Sequence, residues 1–211
     1  IKDDSSQKDD CSQKIDGCDI GKGCGKGCTD LCCAPMCAGE PWELMSRTCS
    51  GLKAGGWFQV GYTTEGTNGD GTALFNNYPN TVQLNQAWLF LEKEIDNGGC
   101  GFDWGFRMDY VYGTDGPDTQ AFGSPAANWD NPWDAGNFYG HAIPQAYVEA
   151  AYNNLSVKLG HFYTIAGYEV VQATGNFFYS HAFTMVLAEP FTHTGILAQY
   201  DWSDRLTLYG G

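Results

Sequence analysis

Phe102-Asp103-Trp104-Gly105-Phe106-Arg107-Met108-Asp109-Tyr110-Val111-Tyr112 is the stretch on which the fold turns. Its even positions are aromatic or Met throughout, and its odd positions are small or charged until Val111 breaks the alternation. Successive side chains of a strand point to opposite faces, so a period of two separates one apolar face from one polar face. The apolar face runs for about the ten residues with which a tilted strand crosses a bilayer.

The same period recurs on both sides of this stretch. In Leu52–Tyr62, Leu52, Ala54, Phe58, Val60 and Tyr62 oppose Lys53, Gln59 and Gly61, with Trp57 off pattern. Val82–Glu94 fits less well: Val82, Leu84, Trp88 and Phe90 share a face with Gln86, and Leu89 and Leu91 sit opposite. Downstream, Ala146, Val148, Ala150 and Tyr152 oppose Gln145 and Glu149, and Leu155, Val157 and Leu159 oppose Ser156, Lys158 and Gly160. Ile196, Ala198, Tyr200 and Trp202 oppose Gln199 and Asp201, and a seventh strand begins at Arg205.

The connections alternate between long (65–80, 114–141, 164–194) and short (96–101, Asn153-Asn154, Ser203-Asp204). Asn-Gly and Asn-Asn are good hairpin pairs. Long loops at one end and tight turns at the other mark an outer-membrane barrel, whereas a soluble sandwich does not ordinarily sort its connections so regularly. The predicted fold class is therefore all-β, an antiparallel transmembrane β-barrel of about seven strands over residues 51–211. Seven strands leave two open edges, and unpaired backbone groups in hydrocarbon are costly. The expectation is that the sequence covers the amino-terminal part of a larger barrel.

Composition agrees. With Lys+Arg 11 against Asp+Glu 25, the net charge is −14, the opposite of the basic face that nucleic acid requires. No apolar run approaches the length of a membrane-spanning helix. The chain opens at Ile1 with no signal core, as expected of a processed exported protein.

Residues 1–10 are expected to be a flexible acidic lead-in, and residues 11–50 a small Cys-rich module. The cysteines are Cys11, Cys18, Cys24, Cys28, Cys32, Cys33, Cys37 and Cys49, with Cys100 alone outside. From Cys24 to Cys37 the spacings are mostly four, and with no Cys-x-x-Cys pairs disulfides are favoured over a metal or iron–sulfur site. A strand that starts at Leu52 from the periplasm puts the module on the periplasmic side, along with Cys100 in its short turn. Cys100 then bonds to the module, or the eight pair among themselves and Cys100 is free or intermolecular.

The polar face assigns Lys53, Gln59, Asp103, Arg107, Asp109, Glu149 and Lys158 to a water-filled lumen. The loop acids Glu65, Asp70, Asp115, Asp118, Asp130 and Asp134 suit a solvated acidic mouth, with Asp70, Asp115 and Asp118 as weak Ca²⁺ candidates. No other cofactor is expected. Residues 164–194 are too aromatic for an exposed loop. Either they fold into the barrel and narrow it, with Glu169, His181, Glu189 and His193 as constriction residues, or they contain further strands. His181, Glu189 and His193 could also ligate a metal, although histidines near an interface more often simply hydrogen-bond. No phosphate loop or nucleophile elbow is present, so no catalytic residue is assigned and no enzyme is expected.

Four segments carry a family resemblance: Gly160-His161-Phe162-Tyr163-Thr164, Gly167-Tyr168-Glu169-Val170-Val171, Gly175-Asn176-Phe177-Phe178-Tyr179-Ser180-His181, and Glu189-Pro190-Phe191-Thr192-His193-Thr194-Gly195. Residues 51–211 resemble the OmpL-like outer-membrane β-barrel porins of bacteria, especially planctomycetes. The resemblance implies a passive channel for small hydrophilic solutes or ions, with the lipid bilayer as its surroundings. Association as a homo-oligomer, with a disulfide-linked or periplasmic envelope partner, is the accompanying expectation. The alternative function is structural: barrels linked into an array or filament through the Cys-rich module.

Overall fold

The computed structural model describes residues 51–64, 75–121, 130 and 138–211, together with the backbone of 42–45. The expectations for the lead-in, for most of the Cys-rich module, and for Glu65, Asp70 and Asp134 lie outside the described residues.

Eight strands follow one another: β1 (Trp42–Met45), β2 (Leu52–Gly61), β3 (Gln83–Lys93), β4 (Phe102–Gly113), β5 (Gly140–Tyr152), β6 (Leu155–Tyr163), β7 (Thr192–Ser203) and β8 (Leu206–Gly210). They form one antiparallel meander in which spatial order equals chain order. Among the described residues β1 pairs only with β2 and β8 only with β7, so the sheet is open.

β1 is one strand more than the sequence predicts, and it falls inside the stretch assigned to the Cys-rich module. A four-residue strand is too short to show a period. It pairs Trp42 with Gly56 and Met45 with Ala54, running opposite to β2. The chain therefore does not enter the sheet at Leu52, which removes the premise that placed the module on the periplasmic side.

The two faces differ as the alternation requires. Cross-strand register sets Trp104 beside Ala150, Phe106 beside Val148 and Met108 beside Ala146 on one face. Phe58, Leu89, Leu159, Ile196 and Trp202 join them there, each more than half exposed. On the other face Arg107 lies beside Tyr147 and Asp109 beside Gln145.

β3 departs from simple alternation for a definite reason. Gln59 pairs with Gln86 but Val60 pairs with Leu84, so Asn85 is an extra residue in β3. Such a bulge shifts the phase of every residue beyond it. Leu84 and Trp88 are both even, yet they point to opposite faces. Trp88 and Phe90 lie on the polar face and are buried, whereas Leu89 and Leu91 lie on the apolar face and are exposed. Trp57, off pattern in sequence, also belongs to the polar face and stacks on Trp88 at 4.9 Å between ring centroids.

Segment 164–191 covers these aromatic residues. Its regular elements are a single 3-10 turn at Ala173–Gly175 and a short helix, Phe183–Leu187. The reading that it contains further strands is thus wrong, and His193 belongs to β7 rather than to the loop. Val171 and Met185 from this segment pack with Phe75, Trp88, Phe90, Val111 and Ala142 into one core, flanked by Trp57, Tyr163, Val186 and Phe191. The core lies between the sheet and the infolded segment, and the apolar face of the sheet is left open.

Leu89 provides a direct test of what bathes that open face. In water Leu89→Arg is expected to change stability little. In a bilayer the same substitution is expected to cost about 2–4 kcal/mol near the midplane, read as a lowered urea midpoint of the protein folded into lipid vesicles.

Candidate functional site

The bulge projects two adjacent amide side chains, Asn85 and Gln86, toward the infolded segment. Gln86 is fully buried. Its Nε2 donates to the Asp115 carboxylate at 2.9 Å and to the Val171 carbonyl at 2.7 Å. Its Oε1 accepts from the Trp57 indole N–H at 2.9 Å and from the Ala173 N–H at 3.1 Å. A glutamine amide has two donors and two lone pairs, and here all four are used. One side chain thereby ties β2, the turn after β4 and the loop together.

Asn85 adds a second tie. Its Nδ2 donates to Thr114 and Asp115 at 3.3 and 3.4 Å, and its Oδ1 accepts from the Tyr179 hydroxyl at 3.1 Å. Tyr179 reaches this position because residue 61 is glycine: a Cβ there would stand 2.2 Å from the Tyr179 hydroxyl oxygen. Within the loop, the Glu169 carboxylate accepts from the Ala182 N–H at 2.8 Å. His181 lies 3.7 Å from that carboxylate and packs against the Phe75 ring. Glu189 fills the space above Gly167, where a side chain would collide with its carboxylate.

Asp115 and Asp118 flank this latch; Asp118 lies in the short helix Gly116–Thr119 that follows β4. Asp118 accepts from the Asn77 amide at 2.7 Å. Burial pushes the Asp115 carboxyl up to about 7, with the nearby Asp118 adding to the shift and the hydrogen bonds from Gln86, Asn85 and Thr114 opposing it. Burial also raises Asp118, to about 6. Asp130 is fully buried too, accepting from the Ala121 and Ile143 N–H groups at 3.3 and 3.2 Å. These three acids hold the loops together and are not the solvated mouth that the sequence suggests. Loop acids look solvated in a sequence because their partners lie in distant strands.

The remaining polar face is a charged wall. Lys53, Glu92, Arg107 and Tyr147 form one row across β2 to β5. Arg107 donates to Glu92 at 2.9 Å and to Asp109 at 2.8 Å, and rests on the Phe90 ring at 5.0 Å. Gln145 completes Asp109 at 3.0 Å. Asp103 is paired with Lys93 at 3.0 Å. Gln59 lies opposite Gln86, and Glu149 opposite Lys158. All seven lumen candidates share one face, but Arg107, Asp109 and Asp103 spend their charge on neighbours.

The metal trio does not assemble. His193 lies on β7 beside Phe162, and among the described residues no three His, Cys, Asp or Glu side chains converge. Cys100 sits in the β3–β4 turn and is disulfide-bonded. That turn is tied to the β5–β6 turn by Asn97 donating to the Asn153 carbonyl at 3.0 Å, and by the Gly101 N–H donating to the Asn153 side chain at 2.9 Å. Sequence reasoning misses Asn85, Gln86, Glu92, Tyr147 and Tyr179. The run Gln83-Leu84-Asn85-Gln86 inside an otherwise apolar strand is the signal that could have found the first two.

A two-faced antiparallel meander with its long connection folded onto the polar face defines a porin-type β-barrel wall. Residues 51–211 match the family model of beta-barrel porin-2, OmpL-like, and the chain belongs to that family. No curated protein and no solved structure matches the chain.

The raised acids give the latch a pH dependence of definite sign. The native state holds protons on Asp115 and Asp118 that the unfolded chain releases near pH 4. The contribution of these two carboxyls to the latch is therefore fully present below about pH 4 and is lost as pH rises through about 6 to 7. Protease cleavage within 164–191 is expected to be slower at pH 5 than at pH 8, and Asp115→Asn is expected to flatten that difference.

Proposed function

We propose that this chain builds a passive outer-membrane channel for small hydrophilic solutes and ions, with segment 164–191 as its constriction. The Gln86 latch is the observation that carries this reading. A segment of about thirty residues is held against the polar face by an amide with no spare hydrogen-bonding capacity, while the opposite face stays apolar and open. A loop so fixed narrows a bore without closing it. The net charge of −14 favours cations in the approach to such a pore.

Planar bilayers test the reading. The full-length protein is expected to give stepwise conductance. Gln86→Leu removes four hydrogen bonds, two of them to the loop, weakening loop attachment by about 1–3 kcal/mol, and is expected to raise the unit conductance and its noise. A protein that inserts but stays sealed, and runs as disulfide-linked multimers, would favour the structural role.

The Cys100 disulfide supports a tether between the wall and the Cys-rich segment. The other cysteines are the eight from Cys11 to Cys49. Cys49 stands in sequence between β1 and β2, whose ends meet at the same end of the sheet as Cys100, and is the first candidate partner. Cys100 lies at the short-turn end, which is periplasmic in such barrels, so a bridge to Cys49 would fix the β1–β2 connection there. Non-reducing peptide mapping is expected to find Cys100 joined to a cysteine of 11–49; an intermolecular bridge or a free thiol would rule the tether out.

A further inference from the structure

Lys158 on β6 stands opposite Glu149 on one side and Leu197 on the other. Opposite charges in direct cross-strand register normally interact, yet among the described residues Lys158 makes no ion pair. Its ammonium instead lies 4.3 Å above the Tyr147 ring and 5.9 Å from Phe162. Arg107 and Lys93, by contrast, are neutralised by adjacent carboxylates.

The backbone at Tyr147 approaches β6 closely because its neighbour across the ladder is Gly160, at φ +138°. A Cβ at position 160 would stand 2.8 Å from Tyr147 Cα and 3.0 Å from its Cβ. Glycine alone permits both the backbone angle and the approach. The ring then offers its negative face to the ammonium, so Lys158 and Glu149 remain two separate charges on the wall.

We propose that Lys158, propped on Tyr147, is the anion-attracting residue of the channel and sets how far small anions share it with cations. The assignment rests on the channel reading and names the chemistry of one point on its wall. An unneutralised ammonium beside the solute path attracts chloride or a small carboxylate, while Glu149 serves cations.

Reversal potentials across a KCl gradient test this with the full-length protein. Lys158→Gln is expected to raise the cation-to-anion permeability ratio by about two- to fivefold. Tyr147→Leu removes the ring, lets Lys158 close on Glu149, and is expected to shift the ratio the same way. Tyr147→Phe and Lys158→Arg keep ring and charge and should leave it at the wild-type value. An unchanged ratio in Lys158→Gln overturns the assignment while the channel stands. A shift in Lys158→Gln without one in Tyr147→Leu overturns the role of the ring. A wild-type protein that inserts without conducting overturns the channel reading and this assignment together.

Discussion

The constraint that governs this molecule is that one sheet presents opposite solvents to its two faces. A strand separates neighbouring side chains by direction alone, so polar and apolar environments can be only one residue apart in sequence. Phe102, Trp104 and Met108 on one side, and Asp103, Arg107 and Asp109 on the other, are the plainest consequence. The low overall charge follows too, since the apolar face carries few charges, Lys93 at the end of β3 among them. Some charges on the other face neutralise one another, as Glu92, Arg107 and Asp109 do, and others, such as Lys158 and Glu149, stay apart.

The second theme is that the core is not where a soluble protein would put it. Trp57, Trp88, Phe90 and Val111 lie on the polar face and are covered by a connection rather than by a second sheet. Of the buried amides beside them, Gln86 finds a partner for each of its polar atoms, whereas among the described residues the Gln83 amide, Gln59 Oε1 and the Trp88 indole N–H are buried without one. An unsatisfied amide in that place would cost more than the bonds it makes contribute. The packing and the latch therefore stabilise the same arrangement.

Much of this was legible in the sequence, and the illegible parts share a cause. β2, β4, β5, β6 and β7 could be read because a period of two is local information. β3 could be read only in pieces, because the extra residue at Asn85 exchanges its faces midway. β1 is too short to show a period. The latch was invisible because Gln86 meets Val171 and Ala173, and Asn85 meets Tyr179, across 85 to 94 residues of sequence. The seven lumen candidates fall on one face, yet nothing local reveals that Asp109 and Arg107 are spoken for while Lys158 is not.

The bulge at Asn85 has a consequence for how such walls diversify. A regular strand points inward only at every second residue, about 7 Å apart, too far for two short amides to serve one compact knot of partners. One inserted residue brings two inward-facing amides side by side and, in the same stroke, moves the following tryptophan from the lipid side to the bore. A single codon gained or lost at this point would therefore remove or restore the paired amides that hold segment 164–191 against the polar face. How much of that face stays covered is thus open to change by insertion or deletion as well as by substitution, and in one step.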